Sequence, residues 1–139
     1  MLDALFGNLP VIEKSLSGLT AREQALAQNV ANADTPGYKR IEVSYERQLR
    51  DAITQASSTD LPLETTDPRH YSLGPAATIE AVRPLVTQVT NESSRNDGND
   101  VDIESEMAKL AETTIRYNTM AALAKNNFSV IQEVLRDVH

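Results

Sequence analysis

Apolar side chains recur along the first part of the chain at Leu5, Leu9, Ile12, Leu16, Leu19, Leu26, Val30 and Ala33. With Glu23 counted in the row, the spacing alternates four and three throughout. That alternation lays one stripe along a helix, as at the a and d positions of a heptad. Pro10 suits a first helical turn, where its missing N–H costs nothing. The main helix is therefore expected to begin near Leu9, with residues 2–9 as a separate short helical piece. Glu23 interrupts the stripe, and a charge at a core position costs stability unless paired or solvated. Either the stripe drifts and leaves Glu23 at its edge, or Glu23 is a polar device that sets register.

A second row runs to the end of the chain: Ile103, Met107, Leu110, Thr114, Tyr117, Ala121, Ala124, Phe128, Ile131, Leu135 and Val138. The same alternation predicts a long helix opened by Asp102 as N-cap, with Glu104 and Glu106 in the first turn, where the helix dipole favours anions. From Asp102 to about Asp137 it would span roughly 54 Å. Thr114, Ala121 and Ala124 keep the middle of its stripe small, which permits close approach of another helix. The two terminal helices are expected to pair as an antiparallel or staggered coiled coil. The C-terminal stripe is the longer, so apolar surface is left over for partners outside the chain.

The pattern changes between them. Ile41, Val43 and Tyr45 alternate as in a short strand or turn, and Arg47 and Arg50 end that alternation. Residues 55–76 are rich in Ser, Thr, Pro and Asp and read as loop or extended chain. Residues 78–90 have strand-like content in Ile79, Val82, Val86 and Val89, but Pro84 restricts them to a sheet edge. Residues 91–100, NESSRNDGND, read as turn or linker. So long a weakly patterned middle argues against a compact globule and for order gained against neighbours. The expected organisation is an N-terminal helical segment (1–34), a turn and extended middle segment (35–100) and a long C-terminal helix (101–139), together one assembly domain. The fold class is mainly all-α, with short strands in the middle.

Composition narrows the choice of partners. The 139 residues carry a net charge of −7, with 4 % aromatic residues and no tryptophan. An acidic chain is a poor match for nucleic acid or an anionic membrane. It has no cysteine, hence no disulfide and no thiol chemistry. MLDALFGNLPVIEK has no basic n-region, no unbroken apolar h-region and no small-residue cleavage site, so it is not a secretory signal. The expectation is a chain that stays in the cytoplasm or leaves by a route that needs no cleaved signal.

The stretch NVANADTPGYKR, residues 29–40, ends the first helix abruptly. Thr35 precedes proline and is pushed out of helical geometry. Pro36 and Gly37 suit the two central positions of a type II turn. Asn32 tolerates the left-handed conformation common at helix ends. Tyr38 then anchors the emerging chain, followed by Lys39 and Arg40.

This string resembles the N-terminal signature of the axial proteins of the bacterial flagellum, the rod and hook family. DGNDVDIESEMAKLAETTIRYNTM, residues 97–120, resembles the C-terminal region of the same family, and TDPRHYSL, residues 66–73, fits as well. The resemblance covers roughly residues 1–50 and 66–139 and is weak over 51–65. In length and in its C-terminal string the chain is most similar to the short proteins of the proximal rod. The resemblance implies a structural subunit without a catalytic site, exported by the flagellar type III apparatus without a cleaved signal. It implies terminal helices packed in the inner tube of a helical assembly, in the periplasmic rod of the basal body. The partners implied are other rod subunits, the rod-base or membrane-ring adaptor protein, the export gate, and further copies of the chain.

Other chemistry is thin. His70 and His139 have no Cys or His neighbours in sequence, so no metal site is expected. Asp97, Asp100, Asp102, Glu104 and Glu106 form an acidic cluster. Counted from Asp97, the sixth and twelfth positions of a calcium loop hold Asp102 and Ala108 rather than glycine and glutamate, so that motif fails. The cluster reads as a capped helix start that could face Lys39 and Arg40 of a neighbouring subunit. Asn91-Glu-Ser93 and Asn127-Phe-Ser129 match a glycosylation pattern short enough to recur by chance. No catalytic residues, cofactor, metal or small-molecule substrate are expected.

The expected assembly interface comprises Leu9, Ile12, Leu16, Leu19, Leu26, Val30, Ile103, Met107, Leu110, Tyr117, Ala121, Ala124, Phe128, Ile131 and Leu135. The expected turn motif is Asn32, Thr35, Pro36, Gly37 and Tyr38. The rival reading is a soluble acidic helical adaptor or type III export chaperone, which fits the charge but not the Thr-Pro-Gly-Tyr exit.

Overall fold

The computed structural model describes residues 8–57, 78–89 and 96–136. Helix α1 spans Leu9–Ala31, with Pro10 in its first turn. Strand β1 is Ile41–Ser44 and helix α2 is Glu46–Ser57. A single 3-10 turn, Ile79–Ala81, leads to strand β2, Leu85–Gln88. Helix α3, Ile103–Arg136, is the longest element. The fold is mostly helical, with long helices toward each end and a two-stranded sheet between them.

The apolar core is built almost entirely from residues before α3. Leu19 and Ala25 of α1, Val43 of β1, Tyr45, Leu49 and Ala52 of α2 and its entry, and Val82 are all buried in one cluster. Leu49, Ala52 and Ile53 repeat at three-to-four spacing, so one face of α2 points inward. Arg47 and Arg50, which in sequence only closed the strand pattern, are exposed on its outer face. The sequence pattern gave no separate helix here, because twelve residues offer too few apolar positions to stand out.

Tyr45 packs where α1 has no side chain. A Cβ on Gly18 would stand 2.5 Å from the Tyr45 ring, so only glycine leaves room for it. The Arg22 guanidinium lies 5.2 Å from the centre of the same ring and bonds Glu46 at 2.6 Å. Arg22 also donates to the Val43 carbonyl at 2.9 Å. Burial pushes the Glu46 carboxyl up, but hydrogen bonds from its own backbone, from Arg22 and from the Tyr45 N–H outweigh this and hold it below its ordinary value.

β1 and β2 pair antiparallel, Ile41 opposite Gln88 and Ser44 opposite Leu85. Pro84 directly precedes β2, which lies on the edge as the sequence implied. The other side of β1 is closed by side chains rather than by a strand. Asn29 bonds both backbone groups of Ile41, and Arg22 takes the Val43 carbonyl.

α3 lies along α1, and the two run antiparallel. Glu106 near its start meets Asn29 near the end of α1, while Tyr117 and Met120 further on pack against the core cluster. The face that α3 turns inward follows the expected stripe only in part. Its buried residues are Glu106 and Thr113, flanked by the partly buried Tyr117 and Met120. Of the expected positions, Leu110, Tyr117, Ala121, Ala124 and Ile131 are half-buried, whereas Ile103, Met107, Phe128 and Leu135 are exposed. At the start of the helix the buried residue is Glu106, and its neighbour Met107 faces out. On α1, Ile12, Leu19 and Leu26 are buried and Leu9, Leu16 and Val30 half-buried, as one drifting stripe joined by Ser15, Ala25 and Asn29. Glu23 is half-buried at the edge of that stripe, which passes through Arg22 instead.

Two predictions test this core. Gly18→Ala should destabilise the chain by about 1–3 kcal/mol in urea unfolding, because the new methyl overlaps a ring held on several sides. Acid titration of stability tests the Arg22–Glu46 pair. A depressed folded value means that Glu46 contributes fully above its ordinary 4.5 and that the contribution is lost as pH falls through the lower folded value. Glu46→Gln should remove that part of the acid limb and leave the neutral-to-alkaline part parallel to the native curve.

Candidate functional site

The exit from α1 is built by its own side chains. The Asn32 N–H and side-chain amide both donate to the Gln28 carbonyl, at 3.1 and 2.8 Å. Thr35 returns two bonds to Asn32, one from its N–H at 3.0 Å and one from its hydroxyl at 3.2 Å. Tyr38 N–H then reaches the Thr35 carbonyl at 3.2 Å, closing the Thr-Pro-Gly-Tyr turn. Gly37 has φ +71°, as the second central position of a type II turn requires. Asn32 itself is at φ −105°, ψ 13°, so the expected left-handed asparagine is corrected. Its side chain, not a positive φ, finishes the helix.

The second segment closes onto this turn. Asn99 is fully buried, and its amide donates to the carbonyls of Asn32, Ala33 and Thr35, each at 2.9 Å. Its oxygen accepts from Val101 N–H at 2.8 Å. Gly37 N–H donates to the Asp97 carbonyl at 2.9 Å, and Lys39 Nζ to the Gly98 carbonyl at 3.0 Å. Arg40 N–H donates to Asp100 Oδ1 at 2.8 Å. Gly98, at φ +76°, makes the bend that lets these carbonyls face the turn.

Asn29 is the junction of three elements. Its amide donates to the Ile41 carbonyl and to Glu106 Oε2, both at 2.8 Å. Its oxygen accepts from Ile41 N–H at 2.9 Å and from the Tyr38 hydroxyl at 3.2 Å. Every donor and acceptor of a side chain only 1 % exposed is thereby used. Glu106, also 1 % exposed, accepts from Lys109 at 2.9 Å and faces the Arg40 guanidinium at 3.6 Å. Burial, then the charges of Asp100 and Glu106, raise the Tyr38 hydroxyl above its ordinary value, which keeps it a donor. Asp102 caps α3 by accepting from the N–H groups of Glu104 and Ser105.

Residues 29–40 and 97–106 thus form one polar clasp. Lys39 and Arg40 engage the acidic segment of their own chain, a contact within the chain that the sequence pattern does not indicate. Asn29, Asn99 and Glu106 escaped the sequence reading because polar side chains at helix ends ordinarily face water. One signal was present: Asn29 falls on the same helical face as Ile12, Ser15 and Leu26. In the turn motif, Asn32 and Tyr38 are half-buried, while Thr35, Pro36 and Gly37 are exposed.

A cleft of about 280 Å³ lies beside the clasp, lined among others by Arg22, Arg40, Lys109 and Arg116 and by Glu42, Glu106 and Glu112. Its charges are matched within the chain: Arg40 with Glu42, Lys109 with Glu106, Arg116 with Glu112. Among the described residues no group of three or more His, Asp or Glu could hold a metal ion. His70 and His139 lie outside the described residues. The arrangement can hold two chain segments together; it presents no nucleophile with a base beside it.

The profile of the family described as Flagella basal body rod protein matches residues 12–39, which carry the first half of the clasp. Over nearly their whole length the chain and curated proteins align. It is 33 % identical to the Flagellar basal body rod protein FlgB of Yersinia enterocolitica, covering 96 % of this chain and 99 % of that one. It is 31 % identical to the FlgB of Borreliella burgdorferi, over 87 % and 90 %. It is 27 % identical to the FlgB of Bacillus subtilis, over 93 % of each.

Asn99→Ala tests the clasp. It removes the side-chain bonds to three carbonyls and takes the acceptor from the N–H of buried Val101; a buried group left without its partner costs about 1–3 kcal/mol. A loss of about 3 kcal/mol is expected in denaturant unfolding. Asn99→Asp should be no better at neutral pH, since it turns a carboxylate oxygen toward three carbonyls.

Proposed function

The chain belongs to the family of flagellar basal body rod proteins and is a structural subunit of that rod, and from this premise we propose how it is built in. It occupies the proximal rod, on the periplasmic side of the membrane, and assembles into the hollow drive shaft by helical packing of its terminal helices. It arrives through the flagellar type III export gate without a cleaved signal and meets the rod-base or membrane-ring adaptor as well as other rod subunits and its own copies. Its role is mechanical rather than catalytic. The soluble adaptor or export chaperone is not favoured, because the relatives aligned over most of the chain are rod proteins.

One observation carries the assembly reading. α3 is about 51 Å long and α1 about 34 Å, at 1.5 Å per residue. Ile103, Met107, Ile115, Leu123, Phe128, Val134 and Leu135 on α3 are exposed, between 40 % and 66 % of their surface. A single helix with that much unpaired apolar surface matches one in contact with neighbours on more than one side. Heterologous contacts of this kind propagate as a helical array unless the rotation closes. The exposed apolar side chains of α3 supply the contacts, while the seam of α1 is used within the chain; the clasp fixes the exit of the middle segment, residues 35–100, between the terminal segments 1–34 and 101–139.

Deletion of the gene should leave cells non-motile, with a membrane ring but no rod in isolated basal bodies. The intact gene should restore swimming. A copy with Phe128→Asp should not, although the purified variant keeps its stability within about 0.5 kcal/mol, as expected for an exposed site. Swimming restored by the Phe128→Asp copy would remove this face from the interface. Normal rods in the deletion strain would remove the rod reading itself.

A further inference from the structure

The rotation of α3 is not the one that apolar burial alone would select. Of the seam expected from its sequence, Leu110, Tyr117 and Ala121 are half-buried against the chain, whereas Ile103 and Met107 at its start, and Phe128 further on, are exposed. The line it buries starts instead at Glu106 and continues through Thr113. Adjacent residues on a helix stand about 100° apart, so with Glu106 inward Met107 is carried round to solvent, 49 % exposed. The core cluster supplies little counter-torque. Its fully buried members all precede α3, which adds only the partly buried Tyr117 and Met120.

We infer that Glu106 is a rotational lock. Held by Asn29, Lys109 and Arg40, it turns α3 so that the Ile103–Met107 side faces outward and stays available to other subunits. A buried carboxylate is costly unless its hydrogen bonds are made, and here one rotation makes them. Turning Ile103 and Met107 inward would break the Asn29 bond and bury these two apolar side chains. The lock therefore opposes a competing, self-satisfied packing in which the chain hides its own contact surface. Polar groups at helix interfaces set register elsewhere by the same logic. The use of the outward side rests on the assembly reading above; the lock rests on the geometry and is tested without assembly.

The chain has no cysteine, so a single introduced thiol reports local exposure. Met107→Cys and Thr113→Cys would each be placed in the full chain, and their rates of modification by a water-soluble maleimide compared. Position 107 is exposed and position 113 is 3 % exposed, so the first thiol should react fast and the second slowly. Added Glu106→Gln, which still accepts from Asn29, should keep that order. Added Glu106→Ala should invert it, because the helix turns and exchanges one position for the other. An unchanged order in the Glu106→Ala background would overturn the lock. Fast reaction at both positions would overturn it too, since the carboxylate would then be holding the fold together rather than choosing a face.

Discussion

A buried asparagine must have both ends of its amide satisfied, and two such residues tie this chain together. Asn29 sits on α1 where β1 and α3 meet it, and its side chain bonds both of them. Asn99 donates to three carbonyls at the exit from α1 and its turn. A helix end leaves its last carbonyls without partners inside the helix. Here the N–H groups of Asn32 and Ala33 take up carbonyls of the last turn, and a residue more than sixty positions further on bonds the carbonyls of the turn that follows. The Thr-Pro-Gly-Tyr exit and the opening of α3 therefore form as one unit, since each supplies the polar partners that the other lacks.

The same economy limits the sheet. Both outward backbone groups of Ile41 and the Val43 carbonyl are occupied by Asn29 and Arg22, where a third strand would have to bond. Arg22 in turn lies over Tyr45, whose ring needs the bare backbone at Gly18. One face of α1 thus carries glycine, arginine and asparagine among its apolar residues, each for a separate contact. The apolar core closes around them before α3 is reached. What α3 adds at its start is polar, and that determines which of its sides stays outside.

A rod subunit has two packing problems: to hold its own ends together and to leave apolar surface for others. A helix that buried its best seam within the chain would solve the first and fail the second. Fixing α3 by charge and amide contacts separates the two. The polar clasp uses little of the helix's apolar surface, and most of α3 remains exposed along its length.

Much of this was legible in the residues alone. The periodicity of residues 9–33 and 103–138 required two long helices, because a stripe at that spacing exists in no other regular structure. Pro36, Gly37 and the asparagine before them required a hard stop, because the backbone constraints of proline and glycine are local. Pro84 restricted the second strand to an edge for the same reason. Glu106 turned inward, Asn99 seated under the turn, and Lys39 and Arg40 bound within their own chain were not legible. Each depends on a partner about sixty to eighty residues away, and a polar side chain carries no periodic mark of whether water or protein will satisfy it. Sequence by itself determined where the helices run and where they stop. Tertiary structure decided which side of the long helix faces in, because that choice rests on hydrogen bonds made only when distant segments meet.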